Sequence, residues 1–291
     1  MVNGIITAIC TPFLNNKIDF ESLQNILNKQ VEAKVSAIIM FGSTGEGSNI
    51  EPEEYGVAIS FVADFLAKTN VKLFVGASSM ATSRVVKLCN IAKENGAFGA
   101  LIAPSPYNKP TQDGIFDIYK QASQVGLPVI AYNIPGRACV DISGETILRI
   151  SELPNLIAIK DSTGDIRRII NLKQKLNNKN FGIFCGDDYM FLSSMVHGAD
   201  GIISVASNIV PQKMVQIYDF CIANDYKNAN KLYNDIYPLF VSLFCQSNPI
   251  PVKFAAKYLG LIKSDELRAP LFALSDPKLI EILTKDIDLA L

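Results

Sequence analysis

Leu156-Ile157-Ala158-Ile159-Lys160, followed by Asp161-Ser162-Thr163-Gly164, is the stretch whose reading decides the fold. Four apolar residues in a row, preceded by Pro154-Asn155 and closed by a Ser/Thr/Gly turn, read as a short strand buried on both faces. The run ends in a lysine, and two readings of Lys160 are open. A lysine at a strand end can lie along apolar surface and put its charge in water. Held at the mouth of an apolar strand instead, its ammonium is disfavoured by desolvation, and the neutral amine can attack a ketone to give a Schiff base.

Outward from this strand, apolar runs alternate with stretches of helical spacing. Ile5–Cys10 pairs with a helix over Asp19–Lys34, where Leu23, Ile26, Leu27 and Val31 share one face. Ala37–Phe41 precedes a helix over Pro52–Lys68, with Pro52 in its first turn. Leu73–Gly76 with Ala81–Glu94, and Phe98–Ala103 with Gln112–Val125, make the third and fourth units, the latter split by a loop through Pro104, Pro106 and Pro110. Pro128–Asn133 with Ser143–Ser151, Leu156–Lys160 with Asp165–Leu176, Phe181–Cys185 with Tyr189–Val196, and Gly201–Val205 with Pro211–Ile222 complete eight. Eight strand-helix units in about 220 residues predict an α/β fold, a TIM (β/α)8 barrel. An open doubly wound sheet would need a Gly-rich dinucleotide loop after an early strand, and GxGxxG is absent. The expected division is a barrel over residues 1–224 and a C-terminal helical region over 225–291, broken at Asn248-Pro249-Ile250-Pro251.

The 291 residues are 49% hydrophobic and 19% charged, with a net charge of −1. No run of like charge offers a nucleic acid or an anionic membrane a surface. Met1-Val2-Asn3-Gly4 carries no basic stretch before an apolar one, so no secretory leader is expected, and no apolar run approaches membrane-spanning length. Six cysteines, none in CxxC spacing, suit reduced core thiols in the cytoplasm. The single histidine, His197, stands where a helix ends, which speaks for a contact with the helix C-terminus and against a Ser-His-Asp triad or a His-rich metal centre.

Barrel enzymes carry reacting groups at the carboxyl ends of strands. The second strand runs into Gly42-Ser43-Thr44-Gly45-Glu46-Gly47, two hydroxyls beside flexible backbone N–H groups, suited to a small carboxylate or to a plain turn. The fifth runs into Tyr132-Asn133-Ile134-Pro135-Gly136-Arg137. Tyr132, a neighbour of Lys160 in such a barrel, can move protons, with Ser43 and Tyr107 as hydroxyl support; alone it also reads as packing. Arg137 reads equally as a bidentate carboxylate partner or a solvated loop residue. Asp187 and Asp188 after the seventh strand are expected to cap a helix rather than bind metal. Ser204 to Asn208, small and polar, suit a pocket floor.

Gly42-Ser43-Thr44-Gly45-Glu46, Tyr107-Asn108-Lys109-Pro110, Tyr132 to Arg137, Ile159-Lys160-Asp161 and Asn248-Pro249-Ile250-Pro251-Val252-Lys253, in this order, resemble the dihydrodipicolinate synthase family, Schiff-base barrels of the aldolase type. The likeness runs from about Ile5 to Pro270. It implies a lyase of lysine (diaminopimelate) biosynthesis that joins pyruvate to L-aspartate 4-semialdehyde, without metal or organic cofactor. Lys160 would form the imine, with Tyr132, Ser43 and Tyr107 as proton relay. Thr44 would hold the pyruvate carboxylate, Arg137 the carboxylate of the second substrate, and Gly186 and Ile203 would place backbone groups near the imine. Tyr107 would be supplied across a subunit interface, in a homotetramer built as a dimer of dimers. The alternative is a related pyruvate lyase such as N-acetylneuraminate lyase or a keto-deoxy-sugar-acid aldolase; those relatives share the Gly-Ser-Thr-Gly-Glu loop but lack the arginine at 137. A third reading is a barrel that only binds a keto acid.

Two departures stand out. Ser43 replaces the threonine usual in the synthases, and the hydroxyl survives. Synthases inhibited by lysine place an asparagine, a glutamate and a tyrosine in loops matching this region, where Met80, Arg84 and Pro106 stand here. Arg84 repels an α-ammonium, which predicts weak or absent lysine feedback.

Overall fold

In the computed structural model, which describes residues 2–176 and 180–291, Leu156–Asp161 is a strand with both faces covered. It is one of eight parallel strands. In chain order the strands are β1 (Gly4–Ala8), β2 (Phe13–Leu14), β3 (Lys17–Ile18), β4 (Ala37–Met40), β5 (Lys72–Gly76), β6 (Gly99–Ile102), β7 (Val129–Asn133), β8 (Leu156–Asp161), β9 (Gly182–Cys185) and β10 (Gly201–Ser204). All but β2 and β3 close into a barrel in the order β1-β10-β9-β8-β7-β6-β5-β4.

The helices are α1 (Phe20–Glu32), α2 (Pro52–Leu66), α3 (Thr82–Glu94), α4 (Gln112–Ser123), α5 (Pro135–Ala138), α6 (Gly144–Ser151), α7 (Ile166–Lys175), α8 (Phe191–Val196), α9 (Pro211–Ile222), α10 (Tyr226–Ser242), α11 (Ile250–Tyr258) and α12 (Pro277–Ala290). Side chains alternate along a strand, and here both faces are apolar. Ile6, Ala37, Ile39, Phe74, Leu101, Ile130 and Phe184 fill the barrel. Ile5, Ile38, Val75, Ala100, Val129 and Ile183 face the helical layer. This two-sided burial explains why the strands read as unbroken apolar runs.

The expected TIM barrel is the fold observed, with strand ends shifted by a residue or two. The hairpin β2–β3 is an addition: its turn, Asn15-Asn16, has φ of 53° and 59°, the left-handed region that asparagine tolerates. His197 follows the last residue of α8, its Nδ1 2.8 Å from the Ser193 carbonyl oxygen, as its position suggested. Beyond α9, α10 packs on α9 and α12. The helical region expected over 225–291 is interrupted not only near Asn248–Pro251 but also over residues 259–276, where Gly260 adopts φ 69° and Arg268 ties the irregular stretch back to Glu54 of α2. No helix among the described residues is long and apolar enough to cross a membrane.

Candidate active site

Lys160 and Tyr132 are register partners on adjacent strands β8 and β7. Their side chains share the barrel's mouth, 5% and 6% exposed, with the Lys160 Nζ 4.2 Å from the centre of the Tyr132 ring. One residue further along, the two strand ends are locked together. Asn133 Nδ2 donates to Asp161 Oδ2 (3.1 Å) and to Asp141 Oδ1 (2.8 Å). Arg168, from α7, donates to the same two carboxylates and to the Ile142 carbonyl. Asp161 and Asn133, the buried members, are held in one geometry because moving either would leave a buried polar group unpaired.

The loop after β4 is shaped by close backbone approach. A Cβ on Gly47 would lie 1.8 Å from the Phe41 carbonyl oxygen, so only glycine fits. Phe41 and Glu46 take left-handed φ of 55° and 53°, a cost of about 1–2 kcal/mol each that surrounding contacts must offset. Those contacts come from the C-terminal region. Glu46 Oε1 accepts from Lys253 Nζ at 2.7 Å with both side chains wholly buried, and its Oε2 accepts from the Arg268 backbone N–H at 3.0 Å. Two cations approach the Phe13 ring, Lys253 and Arg268, 4.3 and 4.4 Å from its centre. Burial pulls the Lys253 pKa down against the attraction of Glu46.

Ser43, Tyr107, Tyr132 and Arg137 line one cavity of about 1040 Å³, so the structure gathers these expected residues. Lys160 adjoins it through Tyr132 and is not among its lining residues. Arg137 stands on the single turn α5, its guanidinium donating to the Asn248 carbonyl at 2.7 Å. Asn248 Nδ2 in turn donates to Thr44 Oγ1 at 2.9 Å. Tyr107 is 84% exposed with φ 71°, on a loop held by Asn108 and Ser105 hydrogen bonds to the Met80 carbonyl. Ile203 belongs to the same inner cluster as Tyr132. Gly186 abuts the lysine stem: a Cβ there would stand 2.9 Å from Lys160 Cε and 1.9 Å from Ser162 Oγ.

The acids after β9 do not cap a helix, and burial gives the reason. Asp188, 1% exposed, accepts from Ser204 Oγ (2.5 Å) and from the Val205 and Ala206 N–H groups (both 3.0 Å), so it clamps the loop after β10. Asp187 makes no side-chain cap bond; burial pushes its pKa up to about 6, with the nearby Lys160 charge opposing that rise. Arg168 carries no signal in the sequence, and Glu46, Asn248 and Lys253 appear there only as members of motifs, with no role of their own. Glu46, Asn248 and Lys253 act through partners more than 200 residues away, which no local pattern pairs.

Fold and site together are those of a (β/α)8 barrel with an amine and a phenol buried at its mouth beside a cavity. A comparison of sequences makes the assignment narrower. The chain belongs to the dihydrodipicolinate synthetase family, whose model matches residues 1–285. It is 38% identical over 274 residues to the 4-hydroxy-tetrahydrodipicolinate synthase of Rickettsia bellii (strain RML369-C), covering 94% of this chain and 92% of that one. Among solved structures it is similar to dihydrodipicolinate synthase from Aquifex aeolicus (TM-score 0.93, 37% identity, 97% of both chains). It is also similar to the chloride-inhibited dihydrodipicolinate synthase from Acinetobacter baumannii complexed with pyruvate (TM-score 0.95, 37% identity, 100% and 99% of the chains).

Proposed function

We propose that this chain is a 4-hydroxy-tetrahydrodipicolinate synthase, condensing pyruvate with L-aspartate 4-semialdehyde through an imine on Lys160, on the route to diaminopimelate and lysine. The observation that carries the reading is the buried Lys160–Tyr132 pair, register partners on adjacent strands with the amine 4.2 Å from the centre of the tyrosine ring. The Lys160 amine attacks the ketone carbon of pyruvate, and the carbinolamine loses water as Tyr132, relayed by Ser43 and Tyr107, supplies the proton to the leaving hydroxyl. Thr44 holds the pyruvate carboxylate, and backbone groups of Gly186 and Ile203 border the imine. The imine draws electrons from the methyl carbon, which loses a proton to give the enamine. No metal or organic cofactor is required for that step.

The enamine carbon then attacks the aldehyde of the second substrate, whose carboxylate pairs with Arg137. The substrate's own amine displaces Lys160 from the imine carbon, closing the ring and freeing the enzyme. An arginine at 137 favours an amino-acid aldehyde over the sugar acids of the N-acetylneuraminate lyase alternative. The exposure of Tyr107 supports a second copy of the chain covering it, within a homotetramer. The free thiols Cys10, Cys89, Cys185 and Cys221, all buried, support a cytoplasmic location.

The test is borohydride reduction in the presence of pyruvate, followed by peptide mass analysis. The reading requires a reduced pyruvate adduct on Lys160, its loss in Lys160→Ala, and turnover when aspartate 4-semialdehyde replaces borohydride. Absence of the adduct in the unmodified protein refutes it, and turnover of sugar acids alone moves the assignment to the lyases.

A further inference from the structure

Asn248 is used by no step above, yet it touches both carboxylate-binding groups. Its carbonyl accepts from Arg137 at 2.7 Å, and its side-chain amide donates to Thr44 Oγ1 at 2.9 Å. Both Asn248 and Thr44 are buried, 8% and 3% exposed. An amide –NH2 has no lone pair to offer, so the Thr44 hydroxyl is the acceptor in this bond. A hydroxyl carries one proton, and that of Thr44 is thereby left for some other acceptor. A carboxylate is acceptor only, and is the partner such a hydroxyl suits best.

A second observation separates this role from packing. Asn248 Oδ1 is buried and has no hydrogen-bond partner. A buried acceptor without a donor is a cost to the fold. What the amide does for its surroundings is therefore concentrated in its bond to the Thr44 hydroxyl.

We propose that Asn248 is a positioning residue for the keto acid: its side-chain amide fixes Thr44 as a hydrogen-bond donor toward the substrate carboxylate. Asn248 itself lines the cavity and Thr44 stands behind it, so the role assigned to Asn248 is the one it plays through the Thr44 hydroxyl. The inference rests on the pyruvate reading given above. It also makes the segment beyond the barrel part of the substrate site, since Asn248 lies between α10 and α11.

The experiment measures the pyruvate concentration that half-saturates borohydride trapping, in the unmodified protein, Asn248→Ala, Thr44→Val and the double variant. Asn248→Ala should raise it about fivefold, the worth of one well-oriented hydrogen bond. The KM for aspartate 4-semialdehyde should stay within about twofold, because Arg137 binds a backbone carbonyl that the substitution keeps. In the Thr44→Val background the Asn248 effect should vanish, as a residue acting only through Thr44 requires. Asn248→Asp, nearly the same shape but an acceptor, should bind pyruvate less well than Asn248→Ala. An unchanged half-saturation in Asn248→Ala, an equal loss with and without the Thr44 hydroxyl, or unimpaired Asn248→Asp each overturns the proposal while leaving the imine chemistry intact. Failure of the unmodified protein to trap pyruvate overturns both.

Discussion

Lys253→Met severs the buried pair beneath the loop after β4, and its cost can be worked from the contacts. Lys253 and Glu46 are both wholly buried, 2.7 Å apart. Removing one partner of such a pair costs about 3–5 kcal/mol, because the other charge stays buried without compensation. Here Glu46 keeps one donor, the Arg268 N–H at 3.0 Å, while Phe13 loses a cation 4.3 Å from its ring centre. These two changes act in opposite directions, so about 4 kcal/mol is expected. Unfolding entropy of about 2.1 cal/mol/K per residue gives the 291-residue chain about 0.6 kcal/mol/K, so Tm should fall by about 7 °C. The chain has no tryptophan, so far-UV circular dichroism is the readout of choice. The double variant Glu46→Gln with Lys253→Met removes the stranded charge and should recover more than half of the loss. A drop below about 2 °C for Lys253→Met, or a double variant as unstable as the two singles added, would refute the reasoning.

Gly186→Ala should cut kcat about 100-fold, since its Cβ would stand 2.9 Å from Lys160 Cε and displace the amine; a coupled assay at saturating substrates that finds normal turnover sinks this. Asp187 holds its proton to about pH 6 in the folded chain against 3.8 ordinarily. The folded state thus binds more protons in that window, and stability falls as pH rises from about 4 to 6, by at most about 3 kcal/mol. Asp187→Asn should be more stable than the unmodified protein above pH 6 and no different below pH 4, as read by urea unfolding at both pH values. L-lysine should leave the rate unchanged at millimolar concentration, because Met80 and Arg84 line the cavity and their side chains offer an α-ammonium no acceptor; half-inhibition at submillimolar lysine in steady-state kinetics contradicts this.

The barrel was legible because its strands are apolar on both faces and its helices are periodic, so each of the eight units carried its own signal. The hairpin of Phe13–Leu14 and Lys17–Ile18 carried almost none: two residues per strand cannot show an alternation, although Asn15-Asn16 is a turn pair that marks it in retrospect. Lys160, Tyr132 and the Ser43-Thr44 loop stood out because they end strands, where spacing alone puts them on one rim. Arg268 did not, for its partners Glu54, Asn49 and Asn16 are more than 200 residues away and nothing local in the sequence pairs them. Asp187 and Asp188 misled because a carboxylate after a strand looks the same whether it caps a helix or, as with Asp188, grips the neighbouring loop.

Tyr132 and Lys160 face each other across a hydrogen-bonded ladder, so their separation is a property of sheet spacing and belongs to no loop. Insertions, grafts or exchanges in the segments that crown the barrel can therefore reshape what is admitted while the amine and the phenol keep their distance. A scaffold of this kind lends itself to diversification of aldehyde acceptors by recombination of its upper segments alone, with the reactive couple inherited unaltered.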